Sequence, residues 1–255
     1  MNNPAEKMAV VILAAGQGTR MKSDLAKVLH PIWGRAMIHF VVETALSIEA
    51  DPVVVIVGHQ KERVIEELEG LPVRFAVQEP QLGTGHAVLC ALPEMEEVKG
   101  RVLILSGDVP LIRSETLKGM IEHHSRDRAA ATVLTARTDN PSGYGRILRQ
   151  PSGHLEAIME ERDADDSIRK INEINSGIYI FELDDLRRVL PRINDDNDQK
   201  EYYLTDAVRL LADEGKIVAA HEGDFREVMG VNTVRELQEA GELLAKRELS
   251  NRGSV

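Results

Sequence analysis

Three unbroken apolar runs constrain this chain more than anything else in it: residues 8–13, 53–57 and 102–105. None alternates with polar residues, so each reads as a strand covered on both faces, the pattern of a parallel sheet between layers of helix. The segments between them carry helical spacing. Met37, Phe40, Val41 and Ala45 mark a helix over 36–47, and Val64, Ile65 and Leu68 mark another over 60–68. A short strand over 73–77 and a helix over 86–92 follow. Such alternation predicts a doubly wound α/β sheet. Ligands on these sheets bind beyond the carboxyl ends of the strands. Glycine-bearing loops fall there: L-A-A-G-Q-G-T-R-M, Q-E-P-Q-L-G-T-G-H and S-G-D-V-P-L.

The pattern changes after residue 130. A strand over 130–136 is followed by P-S-G-Y-G-R-I-L-R, G-H-L-E-A-I-M-E and S-G-I-Y-I-F, short strands separated by turns. They predict a β-rich lobe over about residues 137–200. Within it, 160–170 is charged and without clear period, the pattern of a mobile loop. The chain then returns to helix (203–213), strand (217–220) and the turn G-V-N-T. A last helix over 233–249 places Val234, Leu237, Gly241 and Leu244 on one face, and the terminal N-R-G-S-V is expected to fray.

The net charge of −11 argues against a nucleic-acid or anionic-membrane surface as partner, so a basic loop in this chain points to a small anionic ligand. The single cysteine, Cys90, excludes an intramolecular disulfide or a thiolate metal cluster; its neighbours Val88, Leu89 and Ala91 predict a buried structural thiol. The opening M-N-N-P-A-E-K has no apolar leader and no run reaches bilayer length, so a cytoplasmic protein is expected.

The glycine loop lacks the third glycine of the dinucleotide fingerprint, and no G-x-x-x-x-G-K-[ST] occurs, which removes the main support for a dehydrogenase or a P-loop enzyme. A lone glycine pair would read as a tight turn with solvated charges. Here Arg20 and Lys27 flank it after a buried strand, so two cations stand beside backbone donors where a triphosphate could be neutralised. Asp108 follows Gly107 at a strand end, suited either to Mg²⁺ ligation or to an Asx turn before Pro110. Gly83 and Gly85 admit a planar base that Gln78 and Thr84 could read, or Thr84 simply caps the next helix. His123-His124 reads as solvated helix surface, and Asp163, Asp165 and Asp166 as an acidic loop without EF-hand spacing. Neither H-E-x-x-H nor G-x-S-x-G is present.

Together L-A-A-G-Q-G-T-R-M, S-D-L-A-K-V-L-H, Q-L-G-T-G-H-A, G-D-V-P-L, G-Y-G-R-I, E-I-N-S-G, E-Y-Y-L-T-D and G-V-N resemble, in order, the uridylyltransferase part of the bacterial bifunctional N-acetylglucosamine-1-phosphate uridylyltransferase/glucosamine-1-phosphate acetyltransferase family. The resemblance runs from about residue 8 to residue 232. It implies a Rossmann-like, GT-A-like fold: a mixed, mostly parallel sheet flanked by helices, with a smaller β-rich sugar-binding lobe. It also implies Mg²⁺-dependent uridylyl transfer from UTP to N-acetylglucosamine 1-phosphate, releasing pyrophosphate and giving a cell-wall precursor. By resemblance Leu13, Ala14, Ala15 and Gly16 line the nucleotide. Gly18 and the catalytic cations Arg20 and Lys27 surround its phosphates. Gln78, Gly83 and Thr84 select uracil; Ser106, Gly107 and Asp108 lie beneath the nucleotide. Asp108 and Asn232 hold Mg²⁺, and Gly143, Glu160 and Asn175 bind the sugar.

The implied organisation is a nucleotidyltransferase domain over 1–232 and a helix with its tail over 233–255. A left-handed β-helix acetyltransferase domain, the other part of that family, is not expected within these residues, and without it no trimer is expected. Two positions depart from the family: Ala26 where proline is usual, expected to loosen the loop presenting Lys27, and Ser106 where tyrosine is common. A pyrophosphorylase for glucose or N-acetylgalactosamine 1-phosphate, or a non-catalytic sugar-nucleotide sensor, are the other readings.

Overall fold

The computed structural model describes residues 7–252 apart from Lys22; the expectations for residues 1–6 and 253–255 lie outside the described residues. In chain order the first half comprises β1 (Lys7–Leu13), β2 (Pro31–Ile32), β3 (Arg35–Ala36), α1 (Met37–Ser47), β4 (Val53–Val57), α2 (Lys61–Glu67), β5 (Arg74–Val77), α3 (Thr84–Ala91) and β6 (Gly100–Ser106). The second half comprises α4 (Ser114–Asp127), β7 (Ala131–Arg137), β8 (Arg146–Arg149), β9 (Leu155–Met159), β10 (Glu173–Glu182), α5 (Leu183–Val189), α6 (Thr205–Asp213), β11 (Val218–Glu222), α7 (Phe225–Val228) and α8 (Val234–Arg252).

The main sheet runs β11-β7-β10-β6-β1-β4-β5. β1 pairs in parallel with both β4 and β6, β5 with β4, and β11 with β7; β10 alone runs antiparallel, between β6 and β7. The mixed, mostly parallel sheet expected from the sequence is therefore present. Two buried clusters cover its faces, one including Val11, Val54, Ile56 and Ile104, the other Val10, Ile12, Val55 and Leu103. Alternate residues of one strand thus serve opposite layers, which is why the runs are continuously apolar. From β1 the chain steps outward to β4 and β5, then returns to the other side of β1 as β6. That reversal opens a crevice between the ends of β1 and β6.

The β8–β9 hairpin joins the end of β10 through the pair Ile174 and Arg146. A register shift between Asn175 and Tyr179 bends β10 there. The segment 160–170 is a set of turns closing in a 3-10 turn at Ile168–Lys170, with Asp165 accepting the amides of Ser167 and Ile168. Among the described residues no helix is long and apolar enough to cross a membrane.

Several local expectations are corrected. α3 begins at Thr84 because the Ala87 amide closes the first turn on the Gly83 carbonyl, and the Thr84 hydroxyl accepts the Leu204 amide instead of capping. In α8 the packed face is Leu237, Ala240 and Leu244 against Ile32, Met37 and Leu111, while Val234 is exposed; the helix continues through Asn251 and Arg252, which were expected to fray. His124 is not solvated but fully buried, 2.8 Å from the Thr132 hydroxyl and 3.2 Å from the Glu182 carboxylate. His123 is half-buried, between His221 and Asp127. Cys90 is half-buried rather than buried, because Val88 and Ala91 take the inner face of α3; the partial burial raises its thiol pKa.

Candidate active site

The crevice begins where β1 ends. The Leu13 carbonyl accepts the Gly107 amide at 2.9 Å, tying the glycine loop to the end of β6, and the Ala15 carbonyl accepts the His59 amide at 3.1 Å, tying it to the end of β4. Gly18 has φ +68°, and a Cβ there would stand 2.5 Å from the Lys27 Cβ. Only glycine permits both this backbone and this approach. Lys27 forms an ion pair with Asp108 and donates to the Asn232 side-chain oxygen at 3.1 Å; Arg20 donates to the same oxygen at 2.8 Å. Four side chains from distant parts of the sequence thus meet at one point.

Two cavities share that point. The first, about 370 Å³, is lined by the loop Leu13 to Gln17, by Lys27, and at its far end by Gln78, Gly83 and Thr84. Gln78 is buried, and its Nε2 donates to the Gly83 carbonyl at 2.9 Å. Across the loop, Tyr202 donates its amide to the Leu82 carbonyl at 2.8 Å and accepts the Gly85 amide at 2.7 Å. The E-Y-Y-L-T-D segment therefore staples Q-L-G-T-G-H in place.

The second cavity, about 230 Å³, lies against the hairpin and is lined by Arg20, Gly143, Glu160, Asn175 and Asn232 among others. Leu13, Thr84, Ser106 and Asp108 line both cavities. The bend in β10 supplies one wall: the Asn175 oxygen accepts the Gly177 amide at 3.1 Å and its Nδ2 donates to the Tyr179 hydroxyl at 2.7 Å. Burial pushes that tyrosine hydroxyl up, out of the ionising range. Glu160 accepts from the Thr205 hydroxyl at 3.2 Å, and burial raises its carboxyl above the usual range, with Asp163, Asp206 and Glu201 adding to the effect. The next residue points elsewhere. Glu161 accepts the Gly143 amide at 2.6 Å and pairs at 3.2 Å with Arg146, whose buried guanidinium also donates to the Tyr144 carbonyl. In this way the charged 160–170 segment holds the G-Y-G-R loop.

Of the residues assigned from the sequence to nucleotide, metal or sugar, all but Gly18 and Gly107 line one or both cavities. Gly18 and Gly107 line neither cavity and act through packing. Ser106 turns its hydroxyl to the Gly177 carbonyl at 3.4 Å and leaves that wall small. The sequence reading missed Gln17, Gln81 and Glu201, which line the first cavity, and Tyr144, which lines the second. It also missed Glu236, whose carboxylate accepts the amides of Asn232 (2.7 Å) and Thr233 (2.9 Å) while its own amide donates to the Thr233 hydroxyl. T-V-R-E is a capping box, legible in the sequence, and it sets Asn232 at the mouth of α8.

The donor set suits a divalent cation. The carboxylate of Asp108 and the amide oxygen of Asn232 are hard oxygen donors that already converge on one cationic group, the Lys27 ammonium. Among the described residues no cluster of three or more His, Cys, Asp or Glu stands ready for a metal, so a bound ion would draw its remaining ligands from phosphates and water.

A mixed, mostly parallel sheet with a cation-lined crevice at its switch point, divided into a longer and a shorter pocket, defines an α/β nucleotidyltransferase. The chain belongs to the MobA-like NTP transferase domain family, which it matches over residues 10–174. It is 51% identical over 249 residues to the bifunctional protein GlmU of Geotalea uraniireducens, covering 97% of this chain and 54% of the relative. It is 43% identical over 243 residues to that of Bacillus subtilis, covering 95% and 53%. The chain thus spans about half the length of these curated relatives. In fold it is similar to a UDP-glucose pyrophosphorylase crystallised with UDP-glucose (TM-score 0.74, 18% identity, 94% of this chain and 99% of that one).

Proposed function

We propose that the chain transfers a uridylyl group from UTP to N-acetylglucosamine 1-phosphate, giving UDP-N-acetylglucosamine and pyrophosphate, in the cytoplasm and with Mg²⁺. The observation that carries this reading is the meeting of two pockets at Asp108, with Lys27, Arg20 and Asn232 gathered on it. The longer pocket takes the nucleotide, with the Gln78, Gly83 and Thr84 end for uracil and the Leu13 to Gly18 loop, Arg20 and Lys27 along its phosphates. The shorter one takes the sugar, with Gly143, Glu160 and Asn175 on its hydroxyl and amide groups. Residues 1–232 would form the transferase unit, with 137–200 as the sugar lobe and 233–255 as helix and tail.

A phosphate oxygen of the sugar 1-phosphate attacks the α-phosphorus of UTP in line. The new P–O bond forms as the bond from the α-phosphorus to the bridging oxygen breaks, and pyrophosphate leaves with that electron pair. A phosphate monoester dianion is already nucleophilic, so neither a general base nor a covalent intermediate is required. Catalysis is then positioning plus neutralisation of charge. Lys27 and Arg20 hold the phosphates and offset charge on the leaving group. Mg²⁺, held by Asp108 and Asn232, would supply Lewis-acid neutralisation of the phosphate oxygens.

The test is a substrate panel read by pyrophosphate release. UTP with N-acetylglucosamine 1-phosphate is expected to give the highest kcat/KM. CTP turnover equal to UTP would overturn the uracil assignment, and preference for glucose 1-phosphate would overturn the sugar.

Glu160 gives a second check. Its raised carboxyl pKa means that folding favours the protonated form, so its contribution to stability is present below the ordinary glutamate range and is lost as pH rises through the raised value. Glu160→Gln removes that loss. Its melting temperature is expected to exceed the parent's by about 2–4 °C at pH 8, with the difference shrinking as pH falls and closing at about pH 4 or below, under the ordinary glutamate range. The same variant should raise KM for the sugar phosphate about tenfold, through one lost charged hydrogen bond. Equal melting at both pH values would contradict the burial assigned to this carboxylate.

A further inference from the structure

The segment carrying Lys27 is tied down from an unexpected place. Ala26, where looseness was expected, is fully buried with φ −53° and ψ 137°. Its amide donates to Gln60 Oε1 at 3.0 Å, and Gln60 Nε2 donates to the Asp24 carbonyl. One primary amide thus bonds peptide groups two residues apart, as a neighbouring strand would. A proline at 26 would have no amide to offer.

Gln60 lies just beyond β4 with φ +53°, and the Gly58–Gln60 segment also donates the His59 amide to the Ala15 carbonyl. The Gln60 side chain lines neither cavity. Immediately after Ala26, Lys27 opens a short 3-10 turn, fixed by the Leu29 amide on the Ala26 carbonyl at 2.9 Å. On the other side, Gly18 lies so close that a Cβ there would stand 2.5 Å from the Lys27 Cβ. The root of the lysine is therefore held between Gly18 and a strand-like bridge made by the Gln60 side chain, whose Oε1 also accepts from Arg63 at 3.2 Å.

We propose that Gln60 is a positioning residue for Lys27: by bridging Asp24 and Ala26 it fixes the backbone from which the ammonium reaches Asp108 and the phosphates. It supplies the stiffness a proline ring would give. The proposal rests on the uridylyl-transfer reading for its kinetic arm but not for its structural one.

The test uses the full chain in three variants. Gln60→Gly removes the bridge without straining a left-handed backbone. Gln60→Glu keeps an acceptor for Ala26 and loses the donor to Asp24. Ala26→Pro in the Gln60→Gly background restores stiffness by another route, since φ −53° suits proline and the freed space admits its ring. Hydrogen exchange of the Ala26 amide is expected to be slow in the parent, faster in Gln60→Glu and fastest in Gln60→Gly, whatever the activity. kcat is expected to fall in the same order, by about ten- to thirtyfold in Gln60→Gly, with KM for the sugar phosphate little changed. The proline double variant should recover to within about threefold of the parent. A parent without turnover but with the exchange order intact would overturn the proposed reaction and leave the tether standing. A folded Gln60→Gly variant with kcat within about twofold of the parent would overturn the positioning role, and so would failure of a folded double variant to recover. If the double variant does not fold, the Gln, Glu, Gly order in kcat decides: its absence overturns the proposal.

Discussion

Replacing Asp108 by alanine is expected to lower kcat by about 10²–10³ or more while leaving circular dichroism unchanged. The size follows from what meets at this carboxylate. It pairs with Lys27, it lies on the wall common to both cavities, and with Asn232 it forms the donor set proposed for a divalent ion. Its removal takes away charge where charge shifts during transfer and leaves Lys27 with only the Asn232 oxygen. The fold depends on it much less. The Lys27–Asp108 pair is mostly buried, at 17% and 18% exposed, but it opens on the crevice, so water can reach the ammonium once the carboxylate is gone and the cost to stability is about 1–3 kcal/mol. The main-chain bond from the Val231 amide to the Asp108 carbonyl survives substitution. Asp108→Asn separates charge from shape: it keeps an acceptor for Lys27 yet is expected to lose nearly as much activity, and to need more Mg²⁺ for half its own maximal rate. Pyrophosphate release near the parent rate from either folded variant would remove Asp108 from the chemistry.

The place of that carboxylate was legible from S-G-D-V-P-L, because an aspartate after a glycine at the end of an apolar strand stands where the sheet opens; its use was not, since the same motif suits an Asx turn equally well. The sheet was legible for a related reason: Val53–Val57 is buried at every position, and such burial leaves a continuous apolar run in the sequence. The position of β10 was not. E-I-N-S-G-I-Y-I-F-E reads as a strand, but nothing in it states that it enters antiparallel between β6 and β7 or bends at Asn175. Strand pairing is a long-range property, and one sequence records only the strand's own faces.

His124 shows a signal that was present but misread. Leu117, Met120 and His124 share one face of α4, and all three are buried. Taken as a pair with His123, the residue looks like surface; taken at helical spacing, it belongs to the core, with Thr132 and Glu182 meeting its ring nitrogens. Gln60 left no such trace. Its role depends on peptide groups in another loop, and a glutamine opening a charged helix reads as solvated.

Gly83→Ala is expected to damage nucleotide recognition severely. Gly83 has φ +108°, outside the range of an L side chain, and a Cβ there would meet the Tyr202 carbonyl oxygen at 2.7 Å and its amide nitrogen at 2.8 Å. Both obstacles are backbone, so neither can swing aside. The loop must instead part from the 201–204 segment, which breaks the Tyr202–Leu82 and Gly85–Tyr202 bonds and disturbs the Gln78 contact with the Gly83 carbonyl. Backbone strain of this kind costs about 1–3 kcal/mol. Because the loop lines the end of the longer pocket proposed for uracil, much of that cost should appear in binding: KM for UTP is expected to rise by about 10–100-fold, with a smaller fall in melting temperature. Gly16→Ala is the control, since a Cβ at Gly16 meets nothing within 4 Å and its backbone is not left-handed. It should melt with the parent and lose little UTP affinity. If Gly83→Ala bound UTP as the parent does, the stapled loop would not be the base-recognition element, and uracil selection would have to come from another part of the crevice.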